Sequence, residues 1–363
     1  MVICYNGPKN LHTERWVTYF ARQGHEVHLV IDQPVSYEGV HVHCLDLELK
    51  KSPVYFLKKL RGLKAVLKEV HPDILHSHYI TGEGYIGALT GFHPFVSTIW
   101  GTDIYVRPHS RYDEKVFTKL VMRRSDLITA DSADQVEAAV TLGADPAKCR
   151  VVQWGVDRST FRPSDQAAAR AQLGLPDQPT VISQRKFQPL YNIPTIVTAF
   201  RETLSKVDAR LVLTGGGFDE EEVRALVGRL GIEEHVHFTG YVPYDDLANY
   251  LNAADIAVSV PSWDGTAMAI LEAMACGVPL VVSNLASNRE WIEDGINGFI
   301  VEPEDAVSLS ERMTKLLTDQ NLRSEFSRKN VQVIRERADH EIHMAQMERY
   351  YEELCRTNHQ ESK

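Results

Sequence analysis

The sequence has no run of apolar residues near the roughly 20 needed to cross a bilayer. Its opening residues, VICY, read as a strand rather than a charged region leading into an apolar one, so no secretory leader is expected. Cysteine is sparse: Cys4, Cys44, Cys149, Cys276 and Cys355 are odd in number and scattered. They lack the paired spacing of a disulfide framework or a zinc site. The expected compartment is therefore a reducing cytoplasm. Positive charge is in deficit too, with 39 Lys and Arg against 49 Asp and Glu and a net charge of −10. That balance excludes nucleic acid as a bulk partner, because phosphate backbones require clustered cations. Short-period repeats and low-complexity blocks are also missing.

What remains is the composition of a globular enzyme or binding protein, 44% hydrophobic and 24% charged over 363 residues. That length exceeds what one hydrophobic core usually supports and predicts two domains. Short apolar runs (EVHLVID, PDILHSH, PFVSTI and DLITA, then QPTVIS, ARLVLTG, HVHFTG, ADIAVSV and VPLVVS) alternate with amphipathic segments such as TERWVTYFARQG and EEEVRALVGRLG. The alternation predicts an α/β protein with parallel sheets covered on both faces. It is broken once, at GVDRSTFRPSDQAAARAQLGLPDQP, where a linker is expected. The expected domains are 1–162 and 163–338, both doubly wound, with a cleft between them. A helix over about 339–357 is expected to pack back on the first domain. In such sheets ligands bind beyond the carboxyl ends of the strands.

The chemistry concentrates in WDGTAMAILEAMACG, residues 263–277. From Thr266 to Cys276 the residues are good helix formers that promise burial, and Gly277 is the expected stop. Asp264 and Gly265 precede this helix, leaving the amides of Thr266, Ala267 and Met268 as donors at a positive helix end suited to phosphate. Glu272, eight positions after Asp264, would lie about 12 Å away at helical rise. That is the order of the distance from hexose to ribose in a nucleotide sugar. The opposing reading makes Asp264 an N-terminal cap and pairs Glu272 with a neighbouring helix. Spacing alone does not choose between them.

PSWDGTAMAILEAMACGVPLVVSN resembles the donor motif of glycosyltransferase family 4, the retaining GT-B enzymes, in which Glu, seven residues and Glu precede Ala-Met-Ala-x-Gly. STIWGTDI, LITADSADQVEAAVTLGA, VVQWGVDRSTFRP, LVLTGGGFDEEEVRALVGRLGIEEHVHFTGYVPYDDLANYLNAADIAVSVPS and DGINGFIV extend the resemblance over essentially the whole chain. It implies two Rossmann-like domains facing a cleft. Glu272 would hold the ribose, Gly265 and the amides of Thr266 to Met268 the diphosphate, and Asp264, in place of the first Glu, a hexose hydroxyl. Arg185 matches the Arg that neutralises the leaving diphosphate. The accompanying Lys is missing, with Leu190, Tyr191 and Asn192 in its neighbourhood, and adjacent Lys186 is the candidate substitute. Tyr241 and Val242 fall where the family grips the base, and Gly215 and Gly217 where the backbone stays open beside the donor.

The first half departs further from the pattern. The Gly-rich first loop keeps only Gly7, with Thr13 as a candidate cap of the first helix, which His12 begins. Trp100 stands where many relatives carry His. Asp103 and His78 remain as polar candidates at strand ends, while structural packing is the default for His76 and His78 alike. The activity implied is retaining transfer of a hexosyl unit from a nucleotide diphosphate sugar, UDP-linked first and GDP-linked next. The acceptor would be a sugar, lipid or small-molecule hydroxyl. The layout requires no metal and no cofactor beyond the nucleotide-sugar co-substrate. In the family the leaving phosphate oxygen is thought to take the acceptor's proton. Two alternatives are a nucleotide-sugar 2-epimerase and a non-catalytic nucleotide-sugar-binding subunit.

KKSPVYFLKKLRGLKAVLKEV adds a basic amphipathic helix across 50–70. Phe56, Leu60, Leu63, Leu67 and Val70 form its apolar stripe, and Lys58, Lys59, Arg61, Lys64 and Lys68 crowd elsewhere. A solvated domain face is its default reading. The alternative is peripheral contact with anionic lipid at the inner membrane face, or with a phosphorylated acceptor.

Overall fold

The computed structural model describes residues 1–47 and 52–361, so Lys50 and Lys51 of the basic segment lie outside the described residues. The chain divides into two compact units. Unit 1 comprises Met1–Trp154 with Ile342–Lys363, and unit 2 comprises Gly155–Glu341.

In unit 1, seven parallel strands run β1 (Val2–Asn6), β2 (Glu26–Ile31), β3 (Val40–Cys44), β4 (Ile74–His78), β5 (Phe95–Thr98), β6 (Leu127–Ala130) and β7 (Cys149–Val151). Their order across the sheet is β3-β2-β1-β4-β5-β6-β7. The chain reverses its winding at β1/β4, the crevice where doubly wound sheets take ligands. Central strands such as ILHSH are buried on both faces, which explains their near-continuous apolar runs. One face packs against the Pro53–Val70 and Glu83–Thr90 helices through Leu63, Val66, Tyr85 and Ile86.

The first helix, Leu11–Arg22, is capped by Asn10, whose side chain accepts from the Thr13 amide. Thr13 is thus not the cap. It lies one turn in and fully buried, because the residue with extended backbone is Asn10.

The His340–Glu361 helix closes the other face. Its Met344, Met347 and Tyr351 are completely buried. The Tyr351 hydroxyl bonds to His76 Nδ1 and, at 3.1 Å, to the Tyr5 hydroxyl. His76 Nε2 in turn meets Thr98 Oγ1 at 2.6 Å. Burial and neighbouring His78 push the His76 pKa well below its usual value, leaving it a neutral core histidine.

The basic helix needs one correction. Lys59 does not belong to a solvated face: it is buried, and its ammonium donates to Asp32 at 2.8 Å and Glu83 at 3.0 Å. Lys59, Leu63 and Val66 share a helical line, so the core face carries the lysine, and two carboxylates from elsewhere in the unit compensate it.

Unit 2 repeats the plan with six parallel strands. These are β8 (Thr180–Ser183), β9 (Arg210–Thr214), β10 (Val236–Gly240), β11 (Ile256–Ser259), β12 (Leu280–Ser283) and β13 (Gly298–Val301), ordered β10-β9-β8-β11-β12-β13. Its switch point is β8/β11. Two apolar cores cover the faces, one built on Phe161, Ile182, Leu271 and Trp291, the other on Ile196, Phe200, Leu213 and Phe299.

Candidate active site

In unit 2 two loops leave the strands that flank the switch point, and they are stitched to each other. The loop after β8 ends at Asn192, whose buried Nδ2 donates to the Val260 carbonyl and to Ser262 Oγ, both at 2.9 Å. The Ser262 amide returns a bond to the Leu190 carbonyl at 2.9 Å. Between these stitches two consecutive side chains reach the two carboxylates of the opposite loop and helix. Gln184 Nε2 donates to Glu272 at 3.1 Å and to the Ala269 carbonyl at 2.8 Å. Arg185 forms an ion pair with Asp264.

The Arg185 guanidinium is buried and lies 4.2 Å from the centroid of the Tyr191 ring. Tyr191 therefore supplies a cation–π face in the neighbourhood of the missing lysine. One guanidinium nitrogen, NH2, makes the ion pair, in a group that carries five N–H donors. Lys186, next in sequence, is exposed and has no side-chain partner among the described residues.

The carboxylate helix runs Met268–Ala275, two residues shorter at its start than the apolar composition suggests. Gly265, Thr266 and Ala267 form the approach instead. Ala267 is the N-cap in extended backbone, and its carbonyl accepts from the Ile270 amide at 2.9 Å. Thr266 is held from the side by Trp291 Nε1 at 3.4 Å.

Asp264 is consequently no helix cap, and helical rise does not measure its distance from Glu272, because half of the intervening chain is loop. The first helical amides, beginning with Met268, have no acceptor within the helix. Glu272 is 5% exposed. Gly277 ends the helix as expected, at φ +75° with its amide on the Met274 carbonyl at 3.0 Å.

The glycine loop after β9 packs directly on the loop that carries Arg185. Phe187 N donates to the Gly216 carbonyl at 3.1 Å, and Asp219 N to the Phe187 carbonyl at 3.2 Å. A methyl on Gly217 would stand 2.1 Å from the Phe187 oxygen. Gly215 sits at φ +111°. The need for glycine at 217 is therefore close approach of two backbones, visible without any ligand. Tyr241, just beyond β10, is 85% exposed, and Val242 is half-buried.

Unit 1 places its candidates at the carboxyl ends of β1, β4 and β5. Gly7 follows β1, and a Cβ there would meet Thr13 at 3.2 Å and His78 at 3.4 Å. His78 is fully buried against Tyr5, Trp16, His76 and Trp100, with Nδ1 3.3 Å from Thr13 Oγ1. Burial, with a smaller contribution from His12, lowers its pKa to about 3, so it is neutral at physiological pH. Asp103 is also fully buried. Its two oxygens accept from the Ile80 amide at 2.8 Å and the Trp100 amide at 3.0 Å, tying together the loops after β4 and β5. Burial raises its pKa to about 6, against the pull of those backbone bonds. Trp100 joins an aromatic cluster with His12 and with Trp154 at 5.1 Å.

The sequence description Glycosyl transferases group 1 matches residues 165–333, and Glycosyl transferase 4-like matches residues 2–132. The chain belongs to the GT4-type glycosyltransferases. Similar proteins include a D-inositol 3-phosphate glycosyltransferase of Kribbella flavida, 28% identical over 82% of this chain and 74% of that protein. Another is an N-acetyl-alpha-D-glucosaminyl L-malate synthase of Bacillus anthracis, 24% identical over 93% of this chain and 91% of the relative. Among solved structures, Anabaena HepE in complex with UDP-glucose matches with a TM-score of 0.83 at 18% identity, covering 97% of this chain and 100% of that one. Sucrose-phosphate synthase from Thermosynechococcus elongatus matches at 0.82 and 20% identity, covering 98% and 99%. At those identities the structures establish the fold, which is GT-B.

This glycosyltransferase thus gathers Arg185, Asp264 and Glu272 at one switch point, with Gly215 and Gly217 supporting the Arg185 loop. Gly7, His78 and Asp103 gather at the carboxyl edge of the other sheet, where His78 and Asp103 are wholly enclosed. Gln184 and Tyr191 are the partners that sequence reading missed. Gln184 adjoins the Arg, and an aromatic residue six positions on was the only signal of the second. Among the described residues no group of three or more His, Cys, Asp or Glu is placed to hold a metal ion.

Proposed function

We propose that this glycosyltransferase takes a nucleotide diphosphate sugar into the β8/β11 crevice of unit 2, with a UDP-sugar preferred to a GDP-sugar. Transfer of its hexosyl unit to an acceptor hydroxyl then proceeds with retention and without a metal. The carrying observation is the pair of consecutive side chains, Gln184 and Arg185, that reach Glu272 and Asp264. Carboxylates accept hydrogen bonds from paired hydroxyls, so Glu272 holds the ribose and Asp264 a sugar hydroxyl. The remaining donors of Arg185, the amides of Gly265 to Met268 and exposed Lys186 face the diphosphate. Tyr241 and Val242 border the base.

As the bond from the anomeric carbon to the phosphate oxygen breaks, charge grows on the diphosphate. Arg185, already fixed by Tyr191 and Asp264, meets that charge without reorganising, which is the electrostatic form of catalysis. The acceptor oxygen bonds to the same face of the anomeric carbon, and its proton passes to the departing phosphate oxygen.

The test is thermal shift and turnover with UDP- and GDP-sugars on wild type and Glu272→Ala. A ligand of the native state raises the melting temperature by mass action, and the variant should lose that rise while keeping its far-UV spectrum. Normal donor binding and turnover by Glu272→Ala would sink the assignment.

A further inference from the structure

We propose that the exposed faces of the Pro53–Val70 and Tyr112–Arg124 helices of unit 1 together form a docking surface for an anionic lipid bilayer. The proposal is independent of the donor site, since every residue it uses lies in unit 1.

The chain carries a net charge of −10, yet these two helices run against it. On the first, Lys58, Arg61, Lys64 and Lys68 recur at helical spacing along one exposed line, and Glu69 is the helix's lone acid. None of the four cations has a side-chain partner among the described residues. The buried Lys59 is excluded from this surface. On the second, Lys115, Lys119 and Arg123 form an equivalent exposed line without ion-pair partners among the described residues. Asp113 is already neutralised by Arg111 at 2.9 Å.

Apolar side chains are interleaved with these cations. Val54 and Leu57 are 63% and 46% exposed, and Tyr112 and Val116 are 83% and 49% exposed. With Val106 they make up five of the eleven large hydrophobic residues left exposed among the described residues, which a random scatter would not concentrate on one part of one unit. The two helices meet where the Phe56 and Phe117 rings lie 6.2 Å apart, so the exposed apolar positions flank a single junction.

Cations alone would suit any polyanion. Cations with apolar side chains between them suit the headgroup layer of a bilayer: the apolar groups enter the acyl boundary while the lysine ammoniums stay at the phosphates. The attraction is to surface charge, so salt screens it.

The experiment is co-sedimentation of the full chain with phosphatidylcholine vesicles containing about 30% phosphatidylglycerol, at about 0.1 M and 0.5 M NaCl. Binding is expected at the lower salt, with sharp weakening at the higher and none on pure phosphatidylcholine. The triple variant Lys58→Glu, Arg61→Glu, Lys64→Glu should bind roughly 100-fold more weakly. A double variant, Leu57→Ser with Tyr112→Ser, should also weaken binding while keeping its salt dependence. All these positions are exposed, and an unchanged melting temperature confirms folding. Failure of the wild type to sediment, equal binding by the triple variant, or retention on heparin without vesicle binding would each overturn the proposal.

Discussion

Replacing Gly217 with Ala is the sharpest probe of how the active loops are held. The new Cβ would stand 2.1 Å from the Phe187 oxygen, so the carbonyl would have to retreat by roughly 1 Å to reach ordinary contact. Retreat breaks or stretches the bond that carbonyl accepts from Asp219 and the one Phe187 donates to Gly216. Two bonds at about 1 kcal/mol each, with part of the cost of leaving buried groups unpaired, give a loss of about 2–4 kcal/mol. For a unit of this size that lowers the melting temperature by roughly 5–15 °C. Arg185 and Lys186 are carried on the displaced loop, so the thermal shift on adding UDP should fall as well. Gly216→Ala is the internal control: its Cβ meets only the mobile Glu220 carboxylate, at 3.1 Å, and should cost less than about 1 kcal/mol. The assay is thermal unfolding with and without nucleotide. If Gly217→Ala melts within a degree of Gly216→Ala, the close-approach argument fails.

Two further outcomes are expected in unit 1. Lys59→Met leaves Asp32 and Glu83 buried without their cation and should cost about 3–5 kcal/mol in urea unfolding; a loss under about 1 kcal/mol would mean that the pair is hydrated. Asp103 has a folded pKa raised to about 6, so its contribution to stability is complete below the unfolded value of 3.8 and is lost as pH rises through 6. Relative to Asp103→Asn, the wild type should therefore lose about 1 kcal/mol between pH 5 and pH 7, and a constant difference would contradict that burial.

Much of the fold is legible because buried parallel strands need apolar runs. ILHSH, LITA and IAVS are strands on that ground, and the doubly wound α/β class follows. VHVHC and CRV escape because they are edge strands, β3 and β7, with half-wetted or exposed residues that make no apolar run. Lys59 misleads for another reason. A lysine is assigned to the wet face by type, although its spacing from Leu63 and Val66 puts it on the dry one, and the compensating Asp32 and Glu83 are 27 and 24 residues away. At the site, the carboxylates and Arg185 are marked by motif. The Arg185 to Asp264 pair joins positions 79 residues apart, and no local pattern encodes it. The stack on Tyr191 is equally a product of loop geometry.

The packing of Tyr351 against Tyr5 and His76 also bears on synthesis. A chain emerging from the ribosome can finish the 155–341 unit while the sheet that began at Val2 still lacks the helix that covers one of its faces. Tyr351 follows Trp154 by about 200 residues, a wait of roughly ten seconds or more at 5–20 residues per second. The earliest-made strands are thus among the last to be sealed. During that interval Tyr5 and His76 lack their Tyr351 partner, making the nascent N-terminal sheet the place where a holding chaperone would be engaged.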